Sequence, residues 1–311
     1  MTLEQLRIFI EVAIREHVTA AAKALNITQS TASAAIAALE DRHGIKLFHR
    51  VGRGISLTEA GRVFLVEARN VLASAAVAEA TLDDLSGLSR GSLRVVASQT
   101  IAAYWLPSAL VAFRQTFPDI SIVLEVGNTR QAAEHVREGR SDLGIVEGIV
   151  DDPALAHWPV GEDRLQIVRS TPFQNTTVDA VWLQNAPWIM REKGSGTRSS
   201  LNQALQARSI NPDTLKEVLA LPSNESVRTA VEAGAGVAAL SSLVVAPSLA
   251  SQTLYAAPVD LGPRIFFGLR HKERYRSKAA DAFLHILETH KKNPAPKTVT
   301  VHHRRQKKPP L

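Results

Sequence analysis

The chain opens on apolar residues at helical spacing: Leu3, Leu6, Ile10 and Ala13 recur at steps of three and four. That pattern predicts a first short helix, and a second over about 18–24. A third starts at Thr28, whose hydroxyl suits an N-cap, and runs to about His43, where Gly44 stops it. Within the third, Ala32, Ala35, Ile36 and Leu39 form a stripe for burial and leave Gln29, Ser30, Ser33, Ala34 and Ala37 outside. Residues 59–86 then follow one unbroken helical pattern. Phe64, Ala68, Val71, Ala75, Ala78, Leu82 and Leu85 alternate steps of four and three, the seam of a helix that pairs with another helix. A long surface helix packed on its own domain would carry the same stripe.

Beyond the Ser/Gly-rich stretch 86–91 the texture changes. Apolar runs over 93–97, 120–126, 143–146, 165–168, 188–190 and 265–269 alternate with helical segments over about 102–116, 128–138, 197–208, 224–233 and 276–290. Such alternation predicts an α/β sheet with parallel strands. Residues 92–290 are too many for a minimal doubly wound unit, and a strand returning near 265–270 suits two lobes joined by crossing segments. The expected fold class is α/β with an all-α N-terminal part. It divides into a helical head (1–58), a linker and pairing helix with its hinge (59–91), a two-lobed unit (92–290) and a basic, disordered tail (291–311).

Composition narrows the function classes. Hydrophobic residues make up 45% of the 311, enough for real cores. No run of eighteen apolar residues lacks charges, so no membrane span is expected. Glu4, Arg7 and Glu11 interrupt the first apolar stretch, which a secretory signal would not tolerate, so a cytoplasmic location is expected. The absence of cysteine excludes disulfides, thiolate zinc sites and iron–sulfur clusters. The net charge of +6 resides in the tail: seven basic residues and no acid follow position 290, and without them the chain carries −1. The tail could attract DNA non-specifically or be merely solvated; the charge of the body does not by itself argue for nucleic acid.

The helical head carries the first candidate chemistry. Ala20, Ala21 and Ala22 supply the small side chains needed where two helices cross tightly, and Leu25 and Ile27 close the turn between them. The outer face of the third helix presents Gln29, Ser30, Thr31 and Ser33, short polar groups able to reach base edges and phosphates in a major groove. Arg42, Lys46, Arg50 and Arg53 follow with no acid between 42 and 58, and Gly52 and Gly54 permit a tight wing. An alanine-rich helix pair alone is also ordinary helical packing. The ordered string is more specific: Thr19-Ala20-Ala21-Ala22, Leu25, Ile27-Thr28-Gln29-Ser30, Ser33, Ile36, Leu39-Glu40, Gly44, Leu47-Phe48, Arg50, Leu57-Thr58 and Ala60-Gly61.

This string closely resembles the LysR-type transcriptional regulators, and the resemblance extends over about residues 1–290. It implies a winged helix-turn-helix that binds double-stranded DNA, a dimerisation helix and a two-lobed effector domain like a type 2 periplasmic binding protein. It also implies homodimers, often assembled into homotetramers. Members commonly carry Arg after the serine matching Ser33; here that residue is Ala34, so one contact is not carried over. The expected DNA-binding set is Gln29, Ser30, Thr31 and Ser33 for the groove, with Arg50 and Arg53 for phosphates.

Three helix starts in the α/β part look prepared for an anion. They lie at Ala97-Ser98-Gln99-Thr100, the segment Arg191-Glu192-Lys193-Gly194-Ser195-Gly196-Thr197-Arg198, and Pro222-Ser223-Asn224-Glu225. Helix N-termini offer unpaired N–H groups and partial positive charge, and glycines permit close approach. Ordinary N-capping explains such residues equally well at any single start. In LysR-type proteins the matching segments line the cleft between the lobes, and a similar glycine-rich segment ending in Thr-Arg typifies the subgroup controlling sulfur assimilation and carbon fixation. The expected effector site is Ser98, Thr100, Asn128, Glu147, Ser195, Gly196, Thr197, Arg198 and Asn224, taking a small anion; Asn128 and Glu147 could also be simple strand-end residues.

Enzyme chemistry is not expected. The Gly-Ser-Gly-Thr segment has neither P-loop spacing nor a following Lys-Ser/Thr pair, and Ser195 lies in no Gly-x-Ser-x-Gly elbow. No cofactor and no metal are expected. A pure solute-binding module would match 92–290, but would need export and no helix-turn-helix.

Overall fold

A computed structural model describes residues 1–52, 54–85, 91–173 and 177–292. Arg53, most of the hinge (86–90) and the tail beyond 292 lie outside the described residues, so the phosphate role expected of Arg53 and the disorder expected of the tail cannot be read from it.

The head is three helices and a hairpin. Helix α1 (Leu3–Arg15) buries Leu6, Ile8, Phe9, Val12 and Ala13; Leu3 is exposed, so the buried stripe starts one turn later than the spacing suggested. Helix α2 (Val18–Ala24) buries Ala21 and Ala22 in its crossing with α1 and α3. In α3 (Gln29–His43) Thr28 is the N-cap, accepting from the Thr31 N–H at 3.1 Å, and Gly44 ends the helix in a left-handed conformation. Strands β1 (Phe48–Val51) and β2 (Gly54–Leu57) pair antiparallel and form the wing.

Glu40, part of the ordered string but given no role there, fixes that wing. Its side chain is buried and accepts from the N–H groups of Leu47 at 2.8 Å and Phe48 at 3.2 Å, and from Lys46 Nζ at 2.7 Å. Burial pushes the carboxyl upward, but the hydrogen bonds from Lys46, Leu47 and Phe48 together hold it below its ordinary value. Its contribution to stability is therefore present above the ordinary Glu range and lost as pH falls through the lower folded value. Glu40→Ala, which strands two buried N–H groups, should cost about 2–3 kcal/mol. Thermal melts should show this, with the gap to the parent narrowing as pH falls below the ordinary Glu range. A cost under about 0.5 kcal/mol would place the wing's anchor elsewhere.

Helix α4 (Glu59–Leu85) packs Phe64 and Ala68 into the core of the head, beside Phe9, Leu39 and Leu57. Farther along, the same seam is bare: Val71, Leu82 and Leu85 are exposed. The other side of α4 meets the α/β part, where Arg69 pairs with Glu138 at 2.6 Å and Ala73 is buried.

Strands β3 (Gly91–Ser98), β4 (Ile120–Gly127) and β5 (Leu143–Glu147) are parallel, with β3 central. Helices α5 (Leu106–Thr116) and α6 (Thr129–Arg137) connect them, a short π-helical segment (Ile101–Trp105) preceding α5. Strand β6 (Leu155–Arg169) then crosses from one lobe to the other. Its first part pairs with the returning β11 (Pro263–His271), and its last residues pair with β9 (Ala238–Ser241) and β10 (Tyr255–Ala256), all antiparallel. The expectation of parallel strands thus holds within each lobe's βαβ units and fails at the crossing, because a chain that enters and leaves a lobe must run both ways.

The second lobe adds α7 (Ala180–Asn185), β7 (Trp188–Arg191), α8 (Gly196–Gln206), β8 (Glu217–Leu221), α9 (Asn224–Glu232) and α10 (Ser242–Ala250). Strands β7 and β8 are parallel. Helix α11 (Lys278–Lys292) returns to the first lobe, its Phe283 and Leu287 buried against Phe113 and Leu93. No helix among the described residues is long and apolar enough to cross a membrane.

Candidate functional site

Two surfaces carry the candidate residues. On the head, Gln29, Ser30, Thr31 and Ser33 are all exposed on the N-terminal turns of α3. Thr28 Oγ1 lies 2.8 Å from the hydroxyls of both Ser30 and Thr31, so the cap also orients the first turn. Arg50 is exposed on β1, opposite Ile55 in the wing. Lys46, in contrast, is held by Glu40. A polar helix start flanked by a basic wing matches the geometry that a major groove and its phosphates require.

The second surface is the contact between the lobes. The first lobe contributes the ends of β3 and β5, and the second the starts of α8 and α9. Ser98 hydrogen-bonds to the Glu147 carboxylate, and both are buried. Thr197 Oγ1 approaches the same carboxylate at 3.4 Å from the first turn of α8. Gly196 makes this approach possible: a Cβ there would lie 2.2 Å from the Glu147 carbonyl oxygen and 2.5 Å from Thr129 Oγ1. Thr129 Oγ1 donates to that carbonyl at 2.7 Å.

Arg264, at the start of β11, completes the cluster. Its Nη1 lies 3.1 Å from Thr197 Oγ1 and 3.4 Å from Glu147, and its other nitrogens grip Asp163 of β6. Arg264, Asp163 and Glu147 side chains are each only 3% exposed. Asp163 also accepts from Ser241.

A second group joins the lobes beside it. Asn224 Nδ2 donates to Thr100 Oγ1 at 2.9 Å, and Arg191 donates to Asn224 Oδ1. The Asn224 N–H donates to Gln99 Oε1 at 3.1 Å, and Gln99 Nε2 to the Pro222 carbonyl at 3.0 Å. At the rim, Asn128 Nδ2 donates to Glu192 at 3.3 Å and the Arg130 N–H to the Gly194 carbonyl at 3.3 Å.

Residues 3–62 match the family described as "Bacterial regulatory helix-turn-helix protein, lysR family", and residues 86–292 match "LysR substrate binding domain". The chain belongs to the LysR family. It is a DNA-binding transcription regulator with an effector-binding domain. Among its relatives, a probable RuBisCO transcriptional regulator of Nostoc sp. is 32% identical over 91% of this chain and 86% of that protein. The Synechocystis PCC6803 CcmR regulatory domain, solved in complex with 2-PG, is 25% identical at TM-score 0.59, covering 66% of this chain and 99% of that one. Full-length CbnR complexed with its target DNA shares the fold at TM-score 0.66 and 20% identity, covering 93% of this chain and 99% of that one.

Within this LysR-type fold the expected effector residues fall into groups. Ser98, Glu147 and Thr197 meet in one cluster, Thr100 and Asn224 in the other. None of the hydroxyls of Ser98, Thr100 or Thr197 serves as a helix cap, and the cap of α9 is Ser223 rather than Asn224. Asn128 does cap α6, accepting from the Gln131 N–H at 3.0 Å. Ser195 is the buried N-cap of α8 without a side-chain cap bond. Arg198 turns away from both clusters, to the Arg191 carbonyl at 3.0 Å and to Glu217 at 2.6 Å. Asp163 and Arg264 escaped the sequence reading, whereas Arg191 heads the segment expected at the second helix start. A charged residue heading an apolar run, as Arg264 does, was the available signal.

Proposed function

We propose that this regulator responds to a small anion bound between its lobes. The observation that carries the reading is the surroundings of Glu147. Two hydroxyls, a guanidinium and the N-terminus of α8 converge on a carboxylate that belongs to the protein itself. Donors arranged around one carboxylate suit another anion of similar size. An external anion would take the hydroxyls of Ser98 and Thr197 and displace the Glu147 side chain. Thr100, Asn128, Ser195, Gly196 and Asn224 would line the rest of the site, while Arg198 would brace α8 from behind. The 2-PG held by the CcmR regulatory domain supports a small-molecule effector for this chain. The names of the RuBisCO regulators support a role in carbon-fixation control.

In the same reading residues 1–58 read DNA, 59–91 pair two chains, and 92–290 sense the effector, in a cytoplasmic homodimer able to form tetramers. Gln29, Ser30, Thr31 and Ser33 face base edges, and Arg50 and Arg53 face phosphates. The regulator performs no catalysis and needs no cofactor. Displacement of Glu147 would loosen the bonds across the cleft, and the anion would shift the DNA-bound state only by its differential affinity for the two arrangements.

The DNA arm is tested by fluorescence anisotropy of the full chain on its operator. Gln29→Ala should weaken specific binding by about 1–3 kcal/mol and relax the preference at one base pair per half-site. Unchanged affinity and preference would remove the start of α3 from the groove.

A further inference from the structure

A crevice of about 40 Å³ lies away from the cleft, between α4 and the underside of the first lobe. Ala73 and Val77 of α4 form one wall, and Gly139 and Ser141 another. Four arginines, Arg94, Arg270, Arg274 and Arg276, reach it from three directions, against two aspartates. Arg94 is taken by Asp142 at 2.6 Å and Arg276 by Asp281. Among the described residues Arg270 and Arg274 have no carboxylate at ion-pair distance. Arg274 spends one nitrogen on the Val136 carbonyl at 3.2 Å. Burial depresses the Arg274 guanidinium below its ordinary value, and the neighbouring Arg94 charge adds to this.

Ser141 supplies the second, independent observation. It is 4% exposed, it lines the crevice, and its Oγ has no hydrogen-bond partner among the described residues. A buried hydroxyl left unpaired costs free energy, and a partner in the crevice would recover it.

We propose that this crevice is a second anion site, distinct from the cleft, that takes an inorganic oxyanion of sulfate or phosphate size. Arg270 and Arg274, the latter only partly offset by Glu138, supply the charge and Ser141 the hydroxyl donor. A space of this size, polar on several sides, admits a tetrahedral oxyanion.

The position gives the site a consequence. Helix α4 docks on this lobe through the Arg69–Glu138 pair and through Gly139, which sits at φ +75. A Cβ at Gly139 would lie 2.5 Å from Ala73 Cβ and 2.2 Å from Arg274 Nη1, so helix, turn and guanidinium meet at one point. An anion held by Arg274 ties that point to β11 and holds the helix against the lobe. The orientation of the DNA-reading head relative to the effector domain then depends on anion concentration.

The test uses the full chain and two probes. Crystals soaked in selenate, which scatters anomalously, locate the anion. The rise of melting temperature with sulfate, at ionic strength held constant with chloride, measures binding in solution. The expected result is a selenate peak between Arg270, Arg274 and Ser141, with the sulfate response shifted to about fivefold higher concentration or more in Arg270→Gln and in Ser141→Ala. Without sulfate, Ser141→Ala should melt no lower than the parent, because it removes the unpaired hydroxyl. Thr197→Val should remove at most the part of the response that belongs to the cleft and keep the part that Arg270→Gln and Ser141→Ala shift. The proposal is overturned by a map with no peak in the crevice. It is equally overturned by sulfate responses in Arg270→Gln and Ser141→Ala that equal the parent's, or by a response abolished in Thr197→Val, which would place all the binding in the cleft. Should Arg270→Gln fail to fold, Ser141→Ala and the selenate map decide alone.

Discussion

Replacing Arg264 with Ala should destabilise the effector domain by about 3–5 kcal/mol, the cost of leaving buried charge without its partner. Arg264 grips Asp163 with two nitrogens, one bond being 2.6 Å, and reaches Glu147 and Thr197 with the third. All three charged side chains are almost wholly buried, so truncation leaves two carboxylates facing one another with no cation. The position magnifies the loss. Asp163 lies on β6 and Arg264 on β11, in the stretch where these strands pair before β6 enters the second lobe. Arg264→Lys should recover only part of the stability, since an ammonium cannot form the two-pronged contact. Urea melts of the full chain followed by circular dichroism measure the effect. A loss below about 1 kcal/mol would mean that the carboxylates find other partners, and that Arg264 does not hold the crossing.

Changing Val71 and Leu82 together to Asp should convert the oligomer to a smaller species. The seam of α4 is covered at its N-terminal end, where Phe64 and Ala68 enter the core of the head. Beyond that point Val71 is 40%, Leu82 68% and Leu85 80% exposed, on a face that continues the same spacing. The seam is packed in its own domain at one end and left bare at the other, which is the end proposed to pair. A symmetric pairing would bury each introduced aspartate close to its copy, an uncompensated like-charge contact. Because both positions are solvent-facing within one chain, the fold itself should survive. Sedimentation velocity should show the smaller species with unaltered secondary structure. An unchanged sedimentation coefficient would move the interface off this helix.

Much of the head could be read from the sequence because its determinants are local. Thr28 and Gly44 bracket α3 by their own chemistry, and Gly52 permits the hairpin turn of the wing. Strands β3 and β5 of the first lobe were equally legible, as buried parallel strands are continuous apolar runs. Strand β6 was not: only 165–168 stood out, whereas it spans Leu155–Arg169. Pro159, Gly161 and Asp163 interrupt its apolar pattern, and Asp163 is tolerated inside only because Arg264, distant in sequence, neutralises it. Helix α10 escaped because Pro247 lies within it, and β8 because it is a largely exposed strand with a short apolar run.

The candidate site divides in the same way. The helix starts that supply Thr197 and Asn224 were legible as glycine-rich and Ser/Asn-rich segments after apolar runs. That Ser98 and Thr197 meet on Glu147, with Arg264 behind, depends on two lobes closing, which no local signal encodes. Arg198, expected in the site from its charge and place in the motif, is paired with Glu217 in this structure.

Calorimetry on the full chain decides whether the cleft donors now held by Glu147 serve an external anion. Sulfate, phosphate, 2-PG, small carboxylates, and neutral and cationic compounds are titrated into the parent, Thr197→Val and Glu147→Gln. An anion should bind the parent, Thr197→Val should weaken it by about 1 kcal/mol or more, and Glu147→Gln, which removes the competing charge, should tighten it about tenfold. Binding of only neutral or cationic compounds, or an anion affinity indifferent to both substitutions, would contradict an external anion at these donors.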